Sequence, residues 1–289
     1  MVQPTNTYSP DYTVSPGEIL EEYLESREMS KADFARRTGL SPKTINQIIK
    51  GKAPVSAESA IQFERVLGVS AKLWSNLEAR YRLFKAKKEA KERLASDVQW
   101  SKQFPLYELG KRKFIKTTKD QIKKVDGLFR FFGVANKEGW NTKYSDMQFA
   151  CRHSQAYTSD SYALATWMRC GEIEAQNIDC PPYNQNQLKK SLTKIKGLTN
   201  EEPDVFEPAM VQLCCEAGVV LAFVKEFSKT HISGMAKWVS PGKALIILSL
   251  RHKSDDHLWF AFFHEAAHIF LHSKKMLFVE LKGPIHVEN

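Results

Sequence analysis

The sequence predicts a multidomain protein that is all-α at its N-terminus and α+β at its C-terminus. Three observations carry that prediction. The 289 residues exceed the roughly 100 to 200 of one domain. Helix-start patterns recur five times between residues 15 and 84. After Gly218 the helical period gives way to short apolar, β-branched runs separated by turns. The expected organisation is a tail at 1–14, a five-helix domain at 15–84, a basic helical linker at 85–119 and a final domain at 120–289. That last domain divides into a helical part, 120–217, and a part made of a small antiparallel sheet and one more helix, 218–289.

Ser15-Pro16-Gly17-Glu18 supplies a hydroxyl N-cap, a proline in the first turn and a glutamate at N3, so a helix starts there and runs to about Arg27. Ser30 starts a second, short helix that Gly39 ends by taking the left-handed conformation. Ser41-Pro42 opens a third, with Ile45, Ile48 and Ile49, and Gly51 stops it. Ser56 and Ser70 open a fourth and a fifth. Beyond the charged stretch, Val125, Leu128, Phe129 and Phe132 are spaced as a buried helical face, and further helices are expected at 162–173, 186–195 and 206–214. VVLAFV, HISGMAKWV and KALIILSL then read as strands, and Asp255-Asp256 begins a last helix through HLWFAFFHEAAHIFLH.

No apolar run approaches the roughly 20 residues of a membrane span, which excludes a transmembrane helix and leaves no expected membrane partner. The first residues lack the cationic and apolar regions of a secretory signal. Five cysteines without C-x-x-C spacing argue against a disulfide framework or a thiolate zinc site and fit a reducing compartment, so a cytoplasmic location is expected. The net charge of +9 is unevenly spread: residues 1–79 and 146–289 are each near −1, and residues 80–145 carry +11. The run KAKKEAKER in that middle segment is either a solvated helical face or an attractor of nucleic-acid phosphate, and composition does not decide between them.

Lys31 to Lys50 has the layout of helix, tight turn and second helix that sets a recognition helix into the DNA major groove; the bland alternative is a helical hairpin. With Ile45 and Ile48 inward, Lys43, Thr44 and Gln47 point outward near the start of the second helix. Lysine can donate to guanine, glutamine can pair with adenine, and threonine can reach a base or a phosphate. Arg36, Arg37, Lys50 and Lys52 are the candidate phosphate contacts. Residues 15–84, with PGE-I-L, FA-R-TG-LS, IN-II-KGK and LWSNLEARY, resemble the HigA-like branch of the XRE family of helix-turn-helix regulators. That resemblance implies a lambda-repressor-like domain that binds a palindromic, double-stranded operator as a homodimer, often autoregulating a toxin–antitoxin or prophage operon. The net charge of the segment is low for a DNA binder, so phosphate attraction is expected to draw on the basic stretch that follows.

His264-Glu265-Ala266-Ala267-His268 matches H-E-x-x-H. Two histidines four residues apart share a helical face and can share a zinc ion, with Glu265 as general base for a zinc-bound water. The text from Gly218 to His272 resembles the ImmA/IrrE family of metallo-endopeptidases, more weakly back to about residue 120. The resemblance implies a zincin-like α+β domain, His264 and His268 as metal ligands, Glu265 as catalytic base, and cleavage of helix-turn-helix repressors. It also implies a third, acidic ligand on a further helix. No such stretch occurs in the 21 residues after His268, so the site is expected to be incomplete in this chain, with Glu280, His286 and Glu288 as substitutes. His272 is disfavoured because it lies about 80° around the helix from His264.

His231, His252 and His257 read as structural or surface residues, and Trp238 and Trp259 as packing. The expected function is a DNA-binding transcriptional regulator or antitoxin-like repressor whose appended domain senses a ligand, holds a cognate toxin or cleaves a repressor. The competing expectation is an active zinc endopeptidase that its helix-turn-helix merely targets.

Overall fold

The structure is a computed structural model that describes residues 13–153, 160–228, 230, 232–249, 255–271 and 278–281. The chain divides into two compact units, residues 1–93 and 94–289.

The first unit holds α1 (Pro16–Ser26), α2 (Lys31–Thr38), α3 (Pro42–Ile49), α4 (Ala57–Leu67) and most of α5 (Ala71–Ser96). The starts follow the serines. Ser15 accepts from the Glu18 amide at 3.1 Å while Glu18 accepts from the Ser15 amide at 3.2 Å, a complete capping box. Ser30, Ser41 and Ser56 each accept from the third amide of their helix, leaving fewer first-turn donors unmet. Leu20, Phe34, Ile45, Ala60, Phe63 and Trp74 form the centre of the core. Glu78 on α5 is buried, accepts from the Val55 amide at 3.1 Å and is paired with Arg82 at 2.5 Å, which fixes α5 to the segment preceding α4. Gly17 is required by close approach: a Cβ there would overlap the carbonyl oxygens of Ile48 and Ile49. The first turn of α1 therefore abuts the last turn of α3.

The second unit contains α6 (Val98–Ser101), α7 (Leu106–Lys111), α8 (Gln121–Phe132), α9 (Lys137–His153), α10 (Ser161–Gln176), α11 (Gln185–Lys196), α12 (Pro203–Glu216), β1 (Val219–Val224), β2 (Ile232–Ser240), β3 (Lys243–Ser249), α13 (Asp255–Leu271) and β4 (Phe278–Leu281). The expected antiparallel sheet is instead mixed, in the order β1-β3-β2-β4. β2 and β3 form a hairpin, Met235 opposite Ile247, but β1 runs parallel to β3, Val219 beside Ala244. The physical reason lies in burial. Ala244 to Leu248 are shielded on both faces, and strands of that kind read as continuous apolar runs without the alternation of a one-sided sheet. Val220, Ala222, Leu245 and Ile247 face a core shared with α8 and α10, and Val219, Leu221, Ile246 and Leu248 face one shared with α11, α12 and α13. Strand β4 was not anticipated.

The expected linker 85–119 also differs. Only its first part lies outside the second unit, because Trp100, Phe104 and Leu109 are buried in that unit's core. Trp100 stacks on Phe129 with ring centroids 5.4 Å apart, and Phe104 meets Trp140 edge-on at 5.2 Å. Arg112 sits over the Phe227 ring at 3.8 Å and donates to the Glu226 carbonyl at 2.6 Å. Tyr107, in the same stretch, is largely exposed.

One ion cluster joins α8, α9, α10 and β2. Glu172 is buried and pairs with Lys237 at 2.5 Å, Arg169 at 3.0 Å and Lys143 at 3.8 Å. Arg169 also donates to the Phe131 carbonyl at 2.7 Å and Lys143 to the Phe132 carbonyl at 3.1 Å, so two cations cover the last turn of α8. Burial pushes the Glu172 carboxyl up, but Lys237, Lys143 and Arg169 outweigh it and hold it below its ordinary 4.5.

Folding lowers this pKa, so the contribution of Glu172 is full above about pH 4.5 and is lost as pH falls through its folded value. Glu172→Gln should destabilise the second unit by about 1 to 3 kcal/mol by leaving the half-buried Arg169 and Lys237 without their carboxylate, and should flatten the acid limb of its stability profile; acid titration of unfolding measures both. Gly17→Ala should cost about 2 to 3 kcal/mol, because backbone must move, and hydrogen exchange should rise in α1 and α3; unchanged protection there would contradict the packing described.

Candidate nucleic-acid interface and candidate metal centre

Helix α3 is placed by what it buries. Ile45 and Ile48 are fully or almost fully enclosed, which turns Lys43, Asn46, Gln47 and Lys50 to solvent. Lys43 and Gln47 are thus where the sequence places them. Thr44 is half-buried, and its hydroxyl meets the Ser41 hydroxyl at 2.8 Å, so this side chain serves the N-cap as much as the surface. Asn46 is the outward residue that sequence reasoning passed over. Its signal was present in the spacing: a carboxamide three residues after Lys43 shares that lysine's face, and asparagine can pair with adenine in the bidentate manner of glutamine.

Arg36 and Arg37 lie on α2 and are both exposed, yet neither is free: Asp33 holds Arg36 at 3.2 Å and Arg37 at 2.7 Å. Lys50 and Lys52 are exposed at the end of α3. There Gly51 takes a left-handed φ of 64°, and the Lys52 amide returns to the Gln47 carbonyl at 2.8 Å. Lys43, Lys50 and Lys52 make no ion pair with any described residue, so three uncompensated ammonium groups flank the polar face of α3.

The second candidate site lies on α13. The Nε2 atoms of His264 and His268 are 3.0 Å apart, and the rings are nearly perpendicular. Two zinc-bound nitrogens at 2.0–2.1 Å in tetrahedral geometry lie roughly 3.3 Å apart, so this pair fits the two-histidine part of a zinc site. Phe260, one turn earlier and exposed, stacks on the His264 ring with centroids 5.9 Å apart. Glu265 follows His264 directly on the helix, turned about 100° from it toward the sheet. It is fully buried against β2, where a Cβ on Gly234 would come within 2.8 Å of its Cγ and 3.3 Å of its Oε1. Gly234 is therefore what lets the carboxylate lie against the strand.

Among the described residues no group of three or more histidine, cysteine or carboxylate side chains converges as a metal site. The side chains of His272, Glu280, His286 and Glu288, considered for a third ligand, lie outside the described residues, as do His231 and His252. His257 is half-buried at the start of α13, and Trp259 is core, its ring 4.9 Å from that of Phe206.

Residues 20–74 match the helix-turn-helix family model. The chain is 36% identical over 73 residues to the uncharacterized HTH-type transcriptional regulator YddM of Escherichia coli, covering 25% of this chain and 78% of that protein. It is 34% identical over 77 residues to virulence-associated protein I of Dichelobacter nodosus, covering 26% of this chain and 71% of that one. A solved structure of the Pseudomonas aeruginosa antitoxin HigA with the higBA promoter is 34% identical, covering 28% of this chain and 90% of that chain, with a TM-score of 0.27. By its N-terminal unit this chain belongs to the XRE-type helix-turn-helix family.

Proposed function

We propose that the protein is a sequence-specific, DNA-binding transcriptional regulator of antitoxin-like type. The observation that carries this reading is the outward face of α3, with Lys43, Asn46 and Gln47 able to address base edges and Lys50 and Lys52 at its end to address phosphate. The similarity to a relative described as an uncharacterized HTH-type transcriptional regulator, and the match of residues 20–74 to the helix-turn-helix family model, support it. Such a regulator acts as a homodimer on a two-fold symmetric operator, one recognition helix per half-site, in the cytoplasm where the DNA lies. The exposed lysines 85, 87, 88 and 91 of α5 add phosphate attraction that does not read sequence.

The full chain should select a defined operator from random duplex DNA. Lys43→Ala with Gln47→Ala should then weaken that operator about 10- to 100-fold in a mobility-shift assay. Binding unchanged by the double substitution would overturn the reading. Replacing the four α5 lysines by glutamine should leave operator choice intact and make the salt dependence shallower, the log–log slope falling by about 0.9 for each phosphate no longer neutralised.

The 3.0 Å approach of the two histidine Nε2 atoms favours a second reading for the second unit, that of an ImmA/IrrE-like, zincin-like peptidase domain directed at a repressor protein. In that reading His264 and His268 would hold zinc, and the Glu265 carboxylate would act as the general base that takes a proton from water. Zinc, when bound, supplies that water at neutral pH by lowering its pKa. The burial of Glu265 against Gly234 keeps bulk water from one side of the carboxylate.

Elemental analysis should find zinc in the purified full chain, lost in His264→Ala with His268→Ala, whereas Glu265→Gln should keep the metal and lose any proteolysis. Zinc retained by the double histidine variant would place the metal elsewhere.

A further inference from the structure

We propose that Cys180 and Cys215 form a thiol–disulfide exchange site, which a small disulfide such as oxidised glutathione converts into an intrachain disulfide. The two Sγ atoms are 2.7 Å apart, although 35 residues separate them in sequence. The fold holds both partners in place. Cys215 sits in the last turn of α12, and Cys180 lies in the segment between α10 and α11. That segment is fastened along its length. The Lys243 ammonium donates to the carbonyls of Ala175 and Ile178, the Tyr183 amide to Gly242 at 2.8 Å, and the Asn184 amide to Ala217 at 3.0 Å. Gly218, at a φ of 77°, leaves room for this segment, since a Cβ there would overlap the Tyr183 backbone and the Pro181 carbonyl.

Access separates this pair from the neighbouring thiols. Cys170 and Cys214 are fully buried, whereas Cys180 and Cys215 are half-exposed. Cys215 also lines an open recess of about 690 Å³ with Ile178, Pro181, Val211 and Gln212, within the size range of small-molecule sites. The entering disulfide therefore meets Cys215 first. The Cys215 thiolate attacks one sulfur of the oxidant, the oxidant's S–S bond breaks, and one glutathione leaves as thiolate and takes up a proton. The Cys180 thiolate then attacks Cys215 Sγ and expels the second glutathione. Two protein thiols lose two electrons and two protons, and the oxidant gains both as two thiols. Burial, joined in the reduced pair by the adjacent Cys215 thiol, pushes the Cys180 thiol up; burial still acts on it once Cys215 carries the adduct, so closure is limited by deprotonation of Cys180 and speeds up as pH rises.

The test equilibrates the full chain with glutathione redox buffers, quenches with an alkylating agent and maps peptides by mass spectrometry. The expected result is one cross-linked pair joining Cys180 to Cys215, with closure about tenfold faster per pH unit in the neutral range. Cys180→Ser should stop the reaction at a glutathione adduct on Cys215, and the melting temperature of that variant shows whether it is folded. Unlinked adducts on both cysteines of the natural chain, a link through any other cysteine, or thiols unchanged in buffers that oxidise dithiothreitol would each overturn the proposal.

Discussion

The burial of β3 on both faces is the constraint around which the second unit is organised. A strand without a solvent face needs a hydrogen-bonded partner along each edge and a helical layer above and below, because its peptide groups have no water to turn to. β1 and β2 meet the first need, and α10 with α12 and α13 meet the second. Each notable side chain then takes its place by layer. Glu172 lies under β2 on the α10 side, where Lys237 can reach it, and Glu265 lies on the α13 side, where Gly234 makes room. Two buried carboxylates thus occupy opposite faces of one strand, and their surroundings set them apart: one is gripped by three cations, the other is seated between a helix and a glycine.

The first unit is built on a different principle. Its first four helices are short, and their starts are secured by hydroxyl caps rather than by length, which holds the exposed α3 in a fixed orientation. The abutment of α1 on α3 at Gly17 contributes to the same end, since backbone against backbone leaves little freedom for α3 to tilt.

Much of this was readable from the sequence, and the unreadable parts share a cause. Capping and left-handed turns are local, so the serines at 15, 30, 41 and 56 and Gly39 marked helix boundaries to within a residue or two. The apolar runs of β1 to β3 were visible for the same reason. Pairing is not local: the antiparallel reading failed because nothing in VVLAFV says that its neighbour will be β3 rather than β2. Trp100 and Phe104 fall in a stretch that reads as a linker, and what makes them core is distant in sequence: the tryptophan and phenylalanines of α8 and α9 that close over them. The H-E-x-x-H motif was legible as spacing, but the glycine that seats Glu265 lies 31 residues earlier on another element. The Cys180–Cys215 approach had no sequence signal at all.

Asp33 has a consequence for how the first unit meets a polyanion. By holding Arg36 and Arg37 together, it acts as a resident counterion that does not diffuse away when a phosphate arrives. A phosphate must compete for guanidinium groups that are already half-satisfied, so these arginines release less entropy of bound salt than free ones would. A phosphate contact carries no base information, so that loss is the same for every sequence of duplex. An acidic residue placed among basic ones therefore lowers the affinity of such a surface for polyanions at large and leaves the ratio between one sequence and another as it was.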